Sequence, residues 1–246
     1  MNSELPSHHA NLDIARRHLK AQKVIALLGR RKALAGARIL DIGTGAGVIA
    51  GTLAEAAGPH GRVDSVDVVD VRVVRDTYEY HRIAGTILPF EDSLFDAVVS
   101  NHVVEHVGSR ARQQEHLVEI ARTLRPEGVG YVAFPNRFGF VEPHFRLPFL
   151  GALPKRAQDG YVRVTRGVPE YDCRLLTWRD FRDLAETAGL TVEDCTIEAM
   201  RVVREIESPG AVTRYLLGAP AVLLNRLRAA SPTFVAIVRR RGDDRA

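Results

Sequence analysis

The chain has 246 residues, of which 46% are hydrophobic and 26% charged; this composition is that of a globular protein and excludes disordered, collagen-like and membrane-spanning classes. Its net charge of +4 is small and spread along the chain, so it does not demand a nucleic-acid partner. The two cysteines, Cys173 and Cys195, have no CxxC partner and predict neither a disulfide framework nor a zinc site.

We expect a cytoplasmic protein that is soluble or at most peripheral, because no secretory signal and no run of eighteen apolar residues is found. The periodicity of apolar residues predicts strands that alternate with helices, and hence a parallel sheet. In chain order the predicted elements are one or two helices in 12–34, strand 37–43, helix 45–58, strands 62–68, 78–85 and 95–101, helix 109–124, strand 129–136, helix 178–190, strand 190–199, helix 211–230 and strand 233–240. Thr177 is the expected N-cap of the helix at 178, with Asp180 at the capping-box position.

A single domain is expected, with four parts: an N-terminal helical segment (1–35), a core (36–136), an insert (137–176) and a C-terminal part of the sheet (177–246). The insert is irregular in pattern and rich in Pro, Gly and aromatic residues. Segments of this kind and length are commonly lids or binding loops. We therefore expect the insert to cap one side of a ligand site.

The stretch ILDIGTGAGVIA (39–50) places glycines at Gly43, Gly45 and Gly47 between a strand and a helix, as in a cradle for a nucleotide. A dinucleotide fingerprint fits poorly, because a turn that starts at Gly43 puts Val48 at the third fingerprint position. Asp41, two residues before the turn, would repel a pyrophosphate and suits a cationic amine.

At these residues the sequence resembles the class I S-adenosylmethionine-dependent methyltransferases, of the type 11 and ubiquinone-biosynthesis kind, whose first motif has the form (D/E)xGxGxG. The resemblance continues through Asp67, through TILPFEDSLFDAVVSNHVVEHV (86–107) and through LRPEGVGYVAFPN (124–136). It implies an α/β fold, a Rossmann-like three-layer sandwich. Its seven-stranded sheet would be mostly parallel, with the last strand antiparallel.

The resemblance implies S-adenosyl-L-methionine as the cofactor. It assigns the amino-acid part to Asp41 and the backbone of Gly43, the ribose to Asp67, and the methionine side to the end of the fourth strand. The acidic residue that many relatives carry near the adenine is missing from 83–87, which leaves backbone groups and Leu88 for that role. The full predicted cofactor set is Asp41, Gly43, Thr44, Gly45, Gly47, Asp67, Val68, Leu88, Ser100, Asn101 and His102.

Two histidines are candidate catalytic bases: His102, at the end of the fourth strand, and His144, in the insert. Glu105 and His106 are interpreted as residues at the start of a helix, where they satisfy backbone N–H donors. A metal site that includes these two residues has no support from spacing, and no metal is predicted.

The expected reaction is O-methylation of a small, glycan or lipid-linked acceptor. An NAD(P)-dependent oxidoreductase and a non-catalytic module that binds S-adenosylmethionine remain as alternatives. The C-terminal segment (215–241) is either a core helix with the last strand or a peripheral membrane contact. No nucleic-acid partner is expected, and the oligomeric state is open.

Overall fold

The computed structural model describes residues 14–206 and 228–242, and within them it contains one seven-stranded sheet between two layers of helices. The strands are β1 Arg38–Ile42, β2 Arg62–Asp67, β3 Glu79–Arg82, β4 Phe95–Asn101, β5 Leu124–Pro135, β8 Leu190–Asp194 and β9 Thr233–Arg240, with β6 Val141–Glu142 and β7 Leu147–Pro148 as a separate hairpin. The helices are α1 Ile14–Gly29, α2 Val48–Ala57, α3 Arg110–Thr123, α4 Lys155–Arg166, α5 Trp178–Thr187 and α6 Thr196–Ile206.

The strand order is β3-β2-β1-β4-β5-β9-β8. Strands β1 to β5 pair in parallel, whereas β9 runs antiparallel to both β5 and β8. This confirms the predicted Rossmann-like α/β sheet with an antiparallel last strand. The strand order reverses between β1 and β4, and ligands of such sheets bind at that point, beyond the carboxyl ends of the strands.

Alternate residues of the central strands belong to two hydrophobic clusters, one on each face of the sheet. On β4, Val98 packs with α3 and α5, while Ala97 and Val99 pack with α1, α2 and α6. Because both faces are covered, these strands are continuous apolar runs. Their bounds were predicted well: β4 and β9 begin and end at the predicted residues.

Three other predictions differ from the structure. The predicted strand 190–199 ends at Asp194, and the helix α6 begins at Thr196, where Asp194 Oδ1 accepts the Thr196 N–H at 2.9 Å. Strand β5 begins at Leu124 rather than at 129. Helix α2 begins at Val48 rather than at 45, because the glycine turn precedes it.

The insert is more regular than predicted. It contains the β6–β7 hairpin and the twelve-residue helix α4. Its side chains form a small cluster of their own, made of Phe145, Leu147, Leu150, Val162, Tyr171, Cys173 and Leu175. Helix α5 begins as predicted, with Thr177 and Asp180 forming the reciprocal capping box.

The predicted helix 211–230 lies outside the described residues, except for a short 3-10 turn at Arg228–Ala230. The C-terminal segment that was considered for membrane contact is therefore described only from residue 228 onward. Its strand β9 is buried between β5 and β8. No helix in residues 14–206 and 228–242 is both long and apolar enough to cross a membrane.

Candidate active site

A cleft of about 1370 Å³ opens at the carboxyl ends of β1, β2 and β4. Helix α1 and the turn between β6 and β7 form its other walls. Eight of the predicted site residues line this cleft: Gly43, Gly45, Asp67, Val68, Leu88, Asn101, His102 and His144. Four others are buried behind its surface: Asp41, Thr44, Gly47 and Ser100.

The three glycines of the turn have positive φ angles of 77°, 52° and 83° at Gly43, Gly45 and Gly47. A Cβ at Gly43 would clash with Val103, and one at Gly47 would clash with the carbonyl of Val74. A Cβ at Gly45 would meet only ordinary contacts, the nearest being Arg17 at 3.6 Å. Gly47 therefore permits close packing, while Gly45 leaves the backbone open to the cleft.

Asp41 is 1% exposed, and its Oδ2 is buried without a hydrogen-bond partner among the described residues. Burial, followed by the charge of Asp67, raises the pKa of Asp41 to about 8. A buried carboxylate oxygen that lacks a donor is costly unless a ligand supplies one. The ammonium group of S-adenosylmethionine would do so, and in this respect the residues fit that cofactor.

Asp67 ends β2, and its carboxylate is oriented by the backbone around the cleft. Its Oδ2 accepts the N–H of Gly45 at 2.8 Å, and its Oδ1 accepts the N–H of Val68 at 2.7 Å. Oδ1 also accepts the N–H of Val69 at 3.4 Å, so Oδ2 is the oxygen with a lone pair available for a ribose hydroxyl. Leu88, which is 4% exposed, forms part of the cleft beyond Asp67.

Glu105 lies between the two candidate bases. Its Oε1 is 3.0 Å from Nε2 of His144 and 3.2 Å from Nδ1 of His102, and its side chain is 1% exposed. These contacts keep the pKa of Glu105 well below its usual range in spite of burial. The interpretation of Glu105 as a helix-start residue is wrong, because α3 begins at Arg110 and is capped by Ser109.

The two histidines differ in their electrostatic surroundings. Burial lowers the pKa of His102, and this effect outweighs the opposing effect of Glu105. Burial also disfavours the charged form of His144, but the hydrogen bond to Glu105 and nearby carboxylates raise its pKa above the usual value. His102 has a φ of 60°, so its backbone adopts the left-handed conformation at the end of β4.

Two further residues join this group: His106, which directly follows Glu105, and Cys173, which is distant in the chain. The ring centroids of His106 and His144 are 4.7 Å apart, and Nδ1 of His106 lies 3.7 Å from Sγ of Cys173. Donor atoms of His106, His144 and Cys173 lie within 4.8 Å of one another, as do those of His102, Glu105 and His144. Both trios consist of residue types that bind metals. The geometry of the trio His102, Glu105 and His144 is already explained by the hydrogen bonds that both histidines make with Glu105.

The floor of the cleft contains a fourth histidine, His116 of α3. It is 2% exposed, and its Nε2 lies 2.9 Å from Oγ of Ser100. Burial lowers the pKa of His116 to about 4, so that the ring is neutral near pH 7. Ser100 therefore contacts His116, and through it the fourth strand is tied to α3.

Residues 40–132 match the family model of the methyltransferase domain, which covers the glycine turn, Asp67 and the cleft side of β4. The chain therefore carries a methyltransferase domain over these residues.

Curated relatives of this methyltransferase domain include a probable S-adenosylmethionine-dependent methyltransferase of Mycolicibacterium smegmatis. It is 30% identical over 165 residues, which are 65% of this chain and 54% of the relative. A ubiquinone biosynthesis O-methyltransferase of Rickettsia prowazekii is 27% identical over 133 residues, half of each chain. The match thus spans about half the length of these relatives.

Among solved structures, the fold is shared with a putative methyltransferase of Haloferax volcanii, solved in complex with the Trm112 methyltransferase activator. The TM-score is 0.61 at 18% identity, over 98% of this chain and 100% of that chain. PKMT2 of Rickettsia typhi, solved in complex with AdoHcy, gives a TM-score of 0.58 at 16% identity, over 92% of this chain and 53% of that one.

The sequence alone missed several residues of this methyltransferase domain's cleft. Cys173 and the bridging role of Glu105 depend on contacts between residues far apart in the chain, for which spacing gives no signal. His116 had a weak signal, because it lies on the buried face of a strongly periodic helix. The cations that α1 brings to the cleft, Arg17, Lys20 and Lys23, were also missed.

Proposed function

We propose that the chain transfers the methyl group of S-adenosylmethionine to a hydroxyl group of a small, glycan or lipid-linked acceptor. The observation that carries this proposal is the pair formed by His144 and Glu105 at the wall of the cleft into which the glycine turn opens. A histidine held by a buried carboxylate is the arrangement of an oriented general base. A hydroxyl acceptor needs such a base, because its proton must leave as the new O–C bond forms.

The donor, when bound, supplies an electrophilic methyl group on a sulfonium. Asp41 would hold its ammonium, the Gly43–Gly47 turn its amino-acid part, Asp67 its ribose and Leu88 one side of its adenine; Val68 and Asn101 add contacts along the same wall. In this scheme Ser100 and Thr44 support the wall from behind.

His144 would take the acceptor's proton on Nδ1, because its Nε2–H is donated to Glu105. Glu105 then stabilises the imidazolium that forms, as a buried carboxylate does when it faces a histidine. His102 shares the same carboxylate oxygen and is the second candidate for the base. Because the donor is intrinsically reactive, alignment of the two substrates and exclusion of water supply the rest of the acceleration.

The test is methyl transfer from labelled S-adenosylmethionine to a panel of catechols, hydroxylated glycans and polyprenylated phenols. We expect His144→Ala to lower kcat by about 10²-fold or more, the range of general-base catalysis, with donor affinity unchanged. His60→Ala changes an exposed histidine outside the cleft and is the matched control.

Other outcomes decide between the alternatives. Wild-type turnover in both His144→Ala and His102→Ala would exclude both as the base. Donor binding without turnover on the whole panel would favour a non-catalytic module. A rise in melting temperature with NADH but not with S-adenosylhomocysteine would favour an oxidoreductase.

A further inference from the structure

Two histidines and a cysteine meet where the turn after β4 contacts the insert. His106 is exposed and lines the cleft, His144 lines it from the turn between β6 and β7, and Cys173 is 7% exposed. The donor atoms of the three side chains all lie within 4.8 Å of one another. An ion can reach this group from the cleft, because two of its three members line it.

The spacing of these atoms is close to that of a zinc site. Zinc in proteins is tetrahedral, with bonds of about 2.3 Å to sulfur and about 2.0–2.1 Å to histidine nitrogen, which places a sulfur and a nitrogen ligand about 3.6 Å apart. Nδ1 of His106 lies 3.7 Å from Sγ of Cys173, so this pair needs almost no rearrangement to bind one ion. His144, whose donor atom is no more than 4.8 Å from the other two, needs a shift on the order of 1 Å.

The electrostatic surroundings of the trio favour a cation. Three carboxylates act on both His144 and Cys173, and their sign stabilises added positive charge there. They are Glu105, Glu142 and Asp172. Glu105 and Glu142 are 1% and 2% exposed, so water and salt screen their charges only weakly. These carboxylates compensate the charge of a divalent ion.

Glu105 also orients His144 as a ligand. Its Oε1 lies 3.0 Å from Nε2 of His144, and a carboxylate placed behind a histidine in this way fixes the tautomer and the ring orientation of metal ligands. The metal then binds Nδ1, the atom that takes the proton in the proposed mechanism. Thiolate and imidazole ligands select zinc, whereas Mg²⁺ and Ca²⁺ prefer oxygen ligands.

The other cysteine of the chain lies in a cluster of a different kind. Donor atoms of Glu193, Cys195 and Glu198 also lie within 4.8 Å of one another. Nη2 of Arg31 is already among them, at 2.5 Å from Glu193, 2.6 Å from Glu198 and 3.1 Å from Sγ of Cys195. The guanidinium supplies the positive charge that these carboxylates need, so this cluster is an ion-pair network. Cys195 is therefore the matched control for Cys173.

We propose that His106, His144 and Cys173 bind Zn²⁺, and that the bound ion inhibits methyl transfer by occupying the base. On binding, the Cys173 thiol gives its proton to solvent and forms the Zn–S bond, while both imidazoles bind in the neutral form. Water or Asp172, whose Oδ1 lies 3.5 Å from Sγ of Cys173, takes the fourth position. Zinc binding requires only these residues, whereas inhibition rests on the proposed function, in which His144 is the base.

The first test is a titration of the full chain, without an affinity tag and in a phosphine reductant, with Co²⁺ as the spectroscopic probe. A cobalt–thiolate bond gives a charge-transfer band in the near ultraviolet, so the band reports binding to a cysteine and not to histidines or carboxylates alone. We expect one equivalent of Co²⁺ to produce the band. Zn²⁺ should abolish it by displacement, since zinc binds such ligands more tightly than cobalt.

Cys173→Ser should abolish the cobalt band. Cys173→Ser and His106→Gln should each lower the affinity for Zn²⁺ by at least about tenfold, because the loss of an outer partner of a ligand alone costs this much. Cys195→Ser should keep both the band and the affinity. The absence of a band, a band that persists in Cys173→Ser, or a band lost in Cys195→Ser would overturn the inference. Because His106 is exposed, an unchanged zinc affinity in His106→Gln overturns it even where Cys173→Ser does not fold.

The second test is methyl transfer at controlled concentrations of free Zn²⁺. Zinc should inhibit the wild type over the range in which it displaces Co²⁺, and chelation with EDTA should restore the activity. Cys173→Ser should need at least about tenfold more zinc for the same inhibition. A normal cobalt band without inhibition of an active protein would overturn the inhibitory role. A normal cobalt band without turnover on the whole acceptor panel would instead contradict the proposed function, so the two failures are distinguishable.

Discussion

Nε2 of His144 lies 3.0 Å from Oε1 of Glu105, although the two residues are 39 positions apart in the chain. Glu105 belongs to the turn after β4, and His144 to the turn between β6 and β7. The contact therefore joins the insert to the central sheet beside the cleft. It holds the His144 ring in one orientation and favours its charged form.

Replacement of Glu105 by Gln is expected to weaken His144 as a base. A base acts in its neutral form, so activity rises with pH through the pKa of His144, which is raised in the native protein. Because the variant loses the carboxylate that raises this pKa, the acidic limb of the pH–rate profile should shift to lower pH. The plateau in kcat should fall about tenfold to a hundredfold, since the imidazolium loses its counter-charge.

The measurement is the pH dependence of kcat for the wild type and the variant with any acceptor that turns over. A purely structural role of Glu105 would lower the plateau in kcat and leave the acidic limb of the pH–rate profile at the same pH, and this would contradict the prediction.

Chelation with EDTA serves as the control for a metal at the His102, Glu105 and His144 trio. Loss of activity that Zn²⁺ restores would replace the base mechanism with a metal-dependent one.

Several elements of the fold were predictable because the local preferences of their residues and their burial in the tertiary structure favour the same conformation. β4 and β9 contain the apolar runs AVV and FVAIV, which are buried in the sheet, and these residues favour a strand both by propensity and by burial. The capping box at Thr177 is also local, since its two hydrogen bonds join residues three positions apart.

The start of α6 was not predictable in the same way. Thr196 and Ile197 favour a strand by propensity, but the segment packs as a helix against α1, and Arg31, just after α1, contacts Glu198 at 2.6 Å. Helix α4 contains Gly160 and two β-branched valines, which obscure its pattern, and it is stabilised by the cluster inside the insert. In both cases tertiary contacts outweigh intrinsic propensity.

The candidate site also has one part that the sequence predicts and one part that depends on tertiary contacts. The glycine turn and Asp67 are local features of a strand, turn and helix, so the motif was visible in the sequence. The cluster around Glu105 needs the insert to fold back over the sheet. That contact is set by long-range packing, and the sequence alone pointed to His144 but not to its partner.

Asp41 leads to a prediction for the pH dependence of cofactor binding. Its pKa of about 8 in the free protein means that the carboxyl is largely protonated at pH 6. A cationic ammonium binds the ionised form, so binding lowers this pKa and releases a proton. The affinity for S-adenosylhomocysteine should therefore rise from pH 6.0 to 7.5, by at most about tenfold per pH unit, while the ligand's α-amino group stays largely protonated.

Calorimetry in buffers of different ionisation enthalpy measures the proton release directly. Asp41→Asn should bind more weakly and without proton release, whereas Asp183→Asn, at an exposed carboxylate of α5, should behave as the wild type. An affinity that does not change with pH in the wild type would show that Asp41 does not hold the ammonium.

Gly47 should tolerate substitution much less well than a glycine in a similar conformation with free space around it. Gly47 has a φ of 83°, and a Cβ there would clash with the carbonyl of Val74. Gly167, with a φ of 67°, has nothing within 4 Å of the point where a Cβ would stand, so Gly167→Ala measures the backbone cost alone, about 1 kcal/mol. Gly47→Ala should lower the free energy of unfolding by clearly more, and urea denaturation of both variants checks this. Equal losses would mean that the 74–78 segment moves away without cost.

His116 should make the domain sensitive to mild acid. Its pKa is lowered to about 4 by burial, which outweighs the favourable charge of Glu105. Because the unfolded histidine titrates near 6.5, the folded state binds fewer protons than the unfolded state between these values, and stability falls as pH decreases through that window. The contribution of this one group between pH 7 and pH 5 is about 2 kcal/mol. Urea denaturation at both pH values should therefore show a smaller loss for His116→Gln than for the wild type. The exposed-site variant His60→Gln should keep the wild-type loss, and an identical loss in His116→Gln would mean that folding does not lower the pKa of His116.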